Sequence, residues 1–365
     1  MYNAKVLKLK NKIIHELNSC RYFFFRYRNN QRKIREISQF LSSGRWIMES
    51  RFAYNENAKK NFFVKLFYHI VYKKPSYLSK LIFLFTGYKT LKIKNYNHIN
   101  ASIFYLTREG GFKLFDFEKN KIYTEIDIQK SKLVLNSQIS PISSYFEIPK
   151  QKIDYINNEQ FLIEELIYAD NLFKIDDDKK PFVYSELINL YSKYIVECGE
   201  YGDLEIATSV FNEVSNKMLS LGNYDVEKKR NDYINFIKKV KFVEAHLDFN
   251  IANVLYDGGF YILDNNALGV KMPGFYDVIN IAFNEINYRN EYEWLSILTS
   301  RAVMPIFVKM MKKCNKDFQN EDFEMVLFTY SVFQNSTLVT NALGQEEKKP
   351  KQLVNVFKKL GKLKF

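Results

Sequence analysis

Four polar residues that could do chemistry lie in the short segment 243–264: His246, Asp248, Asn253 and Asp264. The amide oxygen of Asn253 and the carboxylate of Asp264 are hard oxygen ligands that Mg²⁺ accepts together with waters and phosphate oxygens. Asp248 lies close enough to Asn253 in the chain to accept a proton from a substrate hydroxyl at the same site. These residues predict a metal-assisted site for phosphate chemistry.

A β-hairpin is needed to bring these residues together. The stretches 254–256 and 260–263 are rich in β-prone residues, and Gly258 and Gly259 lie between them. Two glycines in this position predict a two-residue turn. Such a turn would place Asn253 directly opposite Asp264, and so pair an amide oxygen with a carboxylate.

The elements around this segment predict an α+β architecture. Short β-prone runs punctuated by Gly or Asn occupy residues 103–126 and predict a meander, and residues 161–167 predict a further strand. Helical spacing of apolar residues predicts helices over most of 4–74, ending before Pro75. Beyond Pro181 helices are predicted over 183–198, 205–220, 226–241, 275–287, 291–313 and 321–342.

Charge divides the chain into three parts. Residues 1–100 contain 21 Lys or Arg and 4 Asp or Glu, residues 348–365 contain 7 Lys and no acidic residue, and the middle is acidic by 11 charges (26 basic, 37 acidic). The basic head is interleaved with aromatic residues, and the tail has the pattern of a short amphipathic helix. This pattern indicates contact with an anionic membrane surface, or a small helical domain whose aromatics form its own core.

Several classes of protein are disfavoured by composition. Cys20, Cys198 and Cys314 lie far apart without a C-x-x-C pair, so neither a disulfide scaffold nor a zinc site is expected. The longest apolar runs, such as 81–85, are much shorter than a membrane-spanning helix. No nucleic-acid reader module is recognisable, so nucleic acid is not an expected partner. We expect a cytoplasmic protein, with peripheral contact at the inner face of the membrane as an option.

The order His-x-Asp-x-x-x-x-Asn resembles the catalytic loop of the protein-kinase-like superfamily, with its closest likeness to aminoglycoside, choline and lipopolysaccharide-core sugar kinases. His246, Asp248 and Asn253 match that loop, and Asp264 matches the metal-binding Asp that follows it. The resemblance implies that Asp248 orients or deprotonates an acceptor hydroxyl. It also implies that Asn253 and Asp264 hold Mg²⁺ on the ATP phosphates, and that His246 orders the loop.

Two further stretches are similar to parts of this superfamily. Residues 273–277 resemble the following helix start, whose Asp277 would brace the loop, and residues 161–167 resemble the hinge strand, where the backbone of Glu165 and Ile167 would bond adenine.

The implied fold is bilobal and protein-kinase-like, with an extra segment at the N-terminal side. Its expected regions are a basic helical region at 1–100, a small β-rich N-lobe with the hinge at 101–170, a larger helical C-lobe at 171–347, and a basic amphipathic tail at 348–365.

The sequence also departs from the superfamily pattern. No G-x-G-x-x-G precedes the hinge, and no Val-Ala-Ile-Lys strand supplies the phosphate-binding lysine. Thr124 stands where that lysine might be expected, and Lys121, Lys130 and Lys132 are alternatives between which the sequence does not decide. These absences leave a catalytically inactive kinase-like scaffold as the alternative.

The function implied is an ATP- and Mg²⁺-dependent phosphotransferase acting on a hydroxyl of a sugar or of a lipid-linked envelope saccharide. The expected partners are such a sugar or glycolipid acceptor and an anionic membrane surface. The alternative is an inactive scaffold that binds a partner or membrane through its basic head. The Lys-, Asn-, Ile- and Phe-rich composition is typical of an AT-rich bacterial genome.

Overall fold

The computed structural model describes residues 40–42, 44–48, 52–55, 90–93, 99–106, 111–126, 140–220, 222, 225–264, 269–289 and 292–343. These residues fall into two compact units. The first contains the described residues up to 126 together with 149–167, and the second contains 140–148 and the described residues from 168 onwards. The first unit is rich in strands and the second is mainly helical, which confirms the predicted α+β architecture.

The first unit is an antiparallel sheet of eight strands. In chain order they are Gly44–Met48 (β1), Phe52–Asn55 (β2), Thr90–Ile93 (β3), Ile103–Leu106 (β4), Phe112–Asp116 (β5), Lys121–Glu125 (β6), Gln151–Ile156 (β7) and Glu159–Glu165 (β8). The order across the sheet is β3-β1-β2-β4-β5-β6-β8-β7. The meander expected at 103–126 and the strand expected at 161–167 are therefore confirmed.

One face of this sheet carries a core of large apolar side chains. Phe104, Phe112 and Phe161 are fully buried there, and Phe112 and Tyr123 each pack edge-on to Phe161. Edge-to-face aromatic packing adds to the free energy gained by burying apolar area. The period-two spacing of Phe112 and Leu114 puts both on this face, as a strand requires.

The head is not helical throughout, and the prediction of helices over 4–74 is wrong at 44–48 and 52–55. These residues form β1 and β2, and β2 pairs with β4, so the sheet extends across the expected boundary at residue 101. Short apolar runs fit helix and strand equally well, and the pairing with a distant strand decides between them. Residues 1–39, 56–89 and the tail at 348–365 lie outside the described part of the chain.

The second unit combines helices with two small sheets. Its helices are Lys180–Cys198 (α1), Leu204–Leu219 (α2), Asp225–Lys228 (α3), Arg230–Ile237 (α4), Tyr276–Arg289 (α5), Glu293–Leu298 (α6), Met304–Cys314 (α7), Phe323–Gln334 (α8) and Thr337–Ala342 (α9). Its strands are Asp170–Asn171 (β9), Glu200–Tyr201 (β10), Lys241–Ala245 (β11), Val254–Tyr256 (β12), Phe260–Ile262 (β13) and Val270–Pro273 (β14). The helices predicted beyond Pro181 are confirmed, with breaks near 229, at 299–303 and at 335–336, and with the helix predicted at 226–241 ending at Ile237.

Helix α8 lies at the centre of this unit. Residues 326–334 are all buried, because α8 packs against α2 and α4 and is covered on every side. In the described part of the chain, no helix is both long enough and apolar enough to cross a membrane.

The hairpin of β12 and β13 differs from the prediction by one residue. Val254 pairs with Ile262 and Tyr256 with Phe260, so the loop has three residues, 257–259. The N–H of Leu263 donates to the carbonyl of Asn253 at 2.8 Å, and Asn253 therefore lies opposite Leu263 and not Asp264. A two-residue type I′ turn needs a positive φ at both central residues. Only Gly258 has one, at 71°.

The two glycines should respond differently to substitution. We expect Gly258→Ala to lower the free energy of unfolding by about 1 kcal/mol, because an L-residue is strained in the left-handed region. Gly259→Ala should cost less than about 0.5 kcal/mol, since its added Cβ would meet only the movable end of Glu147, at 3.2 Å. Urea denaturation measures both values. Equal losses would indicate the two-residue turn instead.

Candidate active site

The segment after β11 makes a sharp turn that presents Asp248. Leu247 has a φ of 63°, which is rare for a bulky side chain. The N–H of Asp248 donates to the carbonyl of His246 at 2.8 Å, across Leu247. The side chain of Leu247 is buried, and this burial helps to hold the strained backbone in place.

A single buried carboxylate holds this turn. Asp277, in the first turn of α5, accepts hydrogen bonds from the backbone N–H of His246 at 2.7 Å and of Leu247 at 3.1 Å. It also accepts one from the hydroxyl of Tyr191 at 2.8 Å. Burial raises the pKa of Asp277, while the electrostatic interaction with His246 and these hydrogen bonds oppose the rise. The geometry matches the bracing role predicted for Asp277.

A second brace was not predicted from the sequence. The amide of Asn280 donates to the carbonyls of Leu247 at 2.9 Å and Phe249 at 3.3 Å, and the hydroxyl of Tyr330 donates to its oxygen at 2.8 Å. Asn280 lies three residues after Asp277 and so on the same face of α5. That spacing of two polar residues in a buried helix is the signal that could have identified it.

The Asp248 carboxylate is held at both oxygens. The amide nitrogen of Asn250 donates to one oxygen and that of Asn253 to the other, each at 2.8 Å. Both amides also reach the Asp248 carbonyl at 3.0 Å. Asn250 also accepts from the N–H of Ala252 at 2.9 Å, as a turn residue does.

Burial is the main cause that raises the pKa of Asp248, and the negative charge of Asp264 raises it further. The electrostatic interaction with His246 and the two asparagine hydrogen bonds act in the opposite direction. Asp264 follows β13 with a φ of 58° and lies within range of a charge interaction with Asp248, although the hairpin register differs from the prediction. Asp248 is thus hydrogen-bonded to Asn253 and interacts electrostatically with Asp264.

The donor set fits a hard divalent cation. Asn253 uses its amide nitrogen on Asp248, so its amide oxygen is the atom it can offer to a metal, and Asp264 can offer a carboxylate. One or two protein oxygens completed by waters and phosphates is the usual way in which proteins bind Mg²⁺. Among the residues that the structure describes, no group of three His, Cys, Asp or Glu forms a metal cage.

His246 connects the turn to the hairpin. It is buried, its Nε2 lies 2.8 Å from the carbonyl of Leu263, and its ring packs edge-on to Phe249. This link joins the residue before Asp264 to the loop that carries Asp248. The position agrees with the ordering role predicted for His246.

The predicted adenine contacts lie in the first unit. Glu165 ends β8, and its N–H donates to the carbonyl of Lys150 at 3.0 Å, while the N–H of Leu166 donates to Asn120 at 2.9 Å. These bonds anchor the stretch that contains Glu165 and Ile167. Their contact with adenine stays a prediction.

The phosphate-binding lysine is not decided. Thr124 lies in β6, and its Cα partner in β5 is Lys113. Lys113 was not indicated by the sequence, and it is a further candidate beside Lys121 in this sheet. Lys130 and Lys132 lie outside the described residues.

Comparison with solved structures finds small-molecule kinases. A choline/ethanolamine kinase family protein from Mesorhizobium loti is 9% identical, with 69% of this chain and 84% of that chain covered and a TM-score of 0.42. A variant of an aminoglycoside 2′-phosphotransferase type IIIa, solved with GDP, is 12% identical, with 69% and 87% covered and a TM-score of 0.42. An amicoumacin kinase solved with AMP-PNP and Ca²⁺ is 10% identical, with 71% and 84% covered and a TM-score of 0.40.

No protein-family model matches the sequence, and no curated protein matches it.

The brace on the turn should dominate local stability. We expect Asp277→Ala to cost roughly 3–5 kcal/mol, because it leaves buried donors without an acceptor. Tyr191→Phe removes one donor and keeps both backbone bonds, so it should cost about 1 kcal/mol. Chemical denaturation compares the two variants. Similar losses for both would contradict a central role for Asp277.

The repulsion between Asp264 and Asp248 gives a pH-dependent prediction. A raised folded-state pKa means that ionisation of Asp248 destabilises the fold, so its contribution is most favourable below about pH 3.9 and is lost as pH rises through the folded pKa. Asp264→Asn should therefore stabilise the protein at pH 8 by roughly 0.5 kcal/mol and by less at pH 5.

Denaturation at the two pH values, without nucleotide or divalent cation, measures this difference. Asp257→Asn is the matched control, since Asp257 is an exposed acid in the same hairpin. A gain for Asp264→Asn that is equal at both pH values would contradict the charge interaction.

Proposed function

We propose that the protein is a metal-dependent phosphotransferase that moves the terminal phosphoryl group of ATP to a hydroxyl. The observation that carries this proposal is the grouping of Asp248 and Asn253, next to a turn held by Asp277, with Asp264 at the end of the following hairpin. A proton acceptor beside two hard oxygen donors is the arrangement that phosphoryl transfer requires.

Asp248 is the residue that receives the acceptor hydroxyl. The hydroxyl donates its hydrogen bond to the carboxylate, its oxygen forms the new bond to phosphorus, and the bond from phosphorus to the leaving ADP oxygen breaks. The proton passes to Asp248 as the new bond forms. Since Asn250 and Asn253 hold both carboxylate oxygens, Asp248 is oriented before the substrate arrives. The raised pKa of Asp248 makes it a better proton acceptor than an exposed aspartate.

Asn253 and Asp264 would hold the cation, which we propose to be Mg²⁺. When bound, it would neutralise charge on the phosphates. Asp264 also carries negative charge close to Asp248, and a cation at Asp264 would lower the pKa of Asp248 relative to the metal-free protein.

The acceptor is proposed to be a sugar or a lipid-linked envelope saccharide. Two sequence features support this choice: the likeness of the loop to small-molecule kinases, and the strongly basic head and tail on an acidic body. Basic segments with large apolar residues suit an anionic lipid interface. We accordingly propose that the enzyme works in the cytoplasm, at the inner face of the membrane.

The nucleotide site can be tested by thermal stabilisation. ATP with Mg²⁺ at about 100 times its dissociation constant should add about 2.7 kcal/mol to stability. Asp264→Ala should lose the part of this gain that depends on Mg²⁺, whereas Asp257→Ala, in the exposed hairpin loop, should keep it. Wild-type protein without any shift would argue against the proposed function.

Turnover is tested with the same proteins. Asp248→Asn should bind ATP with Mg²⁺ yet lose about 10²- to 10⁴-fold in turnover, because only the proton acceptor is changed. Acceptors are screened as free sugars and as glycolipids in vesicles with and without anionic lipid. Tight ATP binding by the wild type with no turnover on any acceptor would favour the inactive scaffold.

A further inference from the structure

The strand β7 forms one edge of the sheet in the first unit. Within the described residues it pairs with β8 alone. The carbonyl of Lys150 accepts a hydrogen bond from the N–H of Glu165 in β8. Alternate residues of a strand direct their backbone groups to the same side, so every second residue counted from Lys150 also faces β8. The backbone N–H and C=O of Ile153 and Tyr155 therefore point away from the sheet. An edge of this kind is a template for pairing with another strand.

The charged residues of β7 are placed symmetrically about Ile153. Lys152 and Asp154 flank it, and both are exposed, with Nζ 2.6 Å from the Asp154 carboxylate. When a two-fold axis relates two identical antiparallel strands, the axis must lie between the two copies of one residue. Only then do the outward backbone groups of one strand face those of the other. An axis through Lys152 or Asp154 would put like charges opposite each other. An axis through Ile153 puts each Lys152 opposite an Asp154.

This register also places the charges where they interact best. Ile153 would face its own copy as a hydrogen-bonded pair, because its backbone groups point outward. Lys152 and Asp154 would then form the neighbouring pairs without backbone bonds, in which side chains approach more closely. Opposite charges directly across two strands stabilise the pairing.

In the single chain, one hydrogen bond occupies an outward N–H group of this edge. The Asp154 carboxylate accepts from the outward N–H of Tyr155 at 2.9 Å. Hydrogen bonds from Lys152 and then from Tyr155 lower the pKa of Asp154, so it is ionised at neutral pH. If Asp154 moved to Lys152 of a second copy, the N–H of Tyr155 would become available for a backbone bond across the new interface.

We propose that two copies of this chain pair through β7, antiparallel and centred on Ile153, to form one continuous sheet. The occupant of the edge is a second copy because the charge pattern is complementary to itself. A contact made by one short strand buries little area, so the dimer is weak and depends on protein concentration. This inference is independent of the proposed phosphoryl transfer.

Sedimentation of the full chain from about 1 to 200 µM tests the pairing, since contacts of this size are weak. Wild-type protein should dimerise within this range. Lys152→Asp should weaken the dimer at least tenfold, because it places only acidic residues across the interface. The exchange of both charges, Lys152→Asp with Asp154→Lys, should restore it. Lys179→Asp is the matched control, since Lys179 forms a similarly exposed pair with Asp176.

Ile153→Pro provides a second test. The substitution removes an N–H that points away from the sheet and leaves all hydrogen bonds to β8 intact. The chain should therefore stay folded but become monomeric. The melting temperature verifies the fold of each variant. A wild type that is monomeric at every concentration would overturn the proposal, as would a dimer that survives both Lys152→Asp and Ile153→Pro.

Discussion

The buried carboxylate of Asp277 is the interaction on which the site depends. It accepts the backbone N–H groups of His246 and Leu247, at a turn where Leu247 has a positive φ. Strained backbone persists only where its surroundings over-determine it. Asp277 does this together with Asn280, which binds the carbonyls on either side of Asp248. Helix α5 therefore sets the position of Asp248.

The same principle closes the β5–β6 turn of the first unit. Asp116 is fully buried and accepts from the backbone N–H groups of Glu118 and Lys119 at 3.1 Å each, and from Asn100 at 3.2 Å. A buried carboxylate costs free energy unless its oxygens are satisfied. In both units, backbone donors at a tight turn satisfy it, and the carboxylate in return fixes the turn. The two acids differ in that Asp277 supports the turn that carries a second carboxylate, that of Asp248.

Much of the architecture could be predicted from local patterns. Period-two runs near 103–126 gave strands, and the long apolar periodicity after Pro181 gave helices at the right places. The head was misjudged at β1 and β2, because short aromatic runs carry no decisive period. The strand state of β2 comes from pairing with β4, about fifty residues away in the chain, and β1 in turn pairs with β2 and β3.

By itself, the sequence determined which residues can do chemistry: the spacing of His246, Asp248, Asn253 and Asp264 is a property of the chain. Only the tertiary structure decided how they meet. The hairpin loop has three residues and not two, yet the charge of Asp264, which has a left-handed backbone conformation, still acts on Asp248. The hydrogen bond from Tyr330 to Asn280 could not be predicted from the sequence, since contacts between distant elements depend on packing.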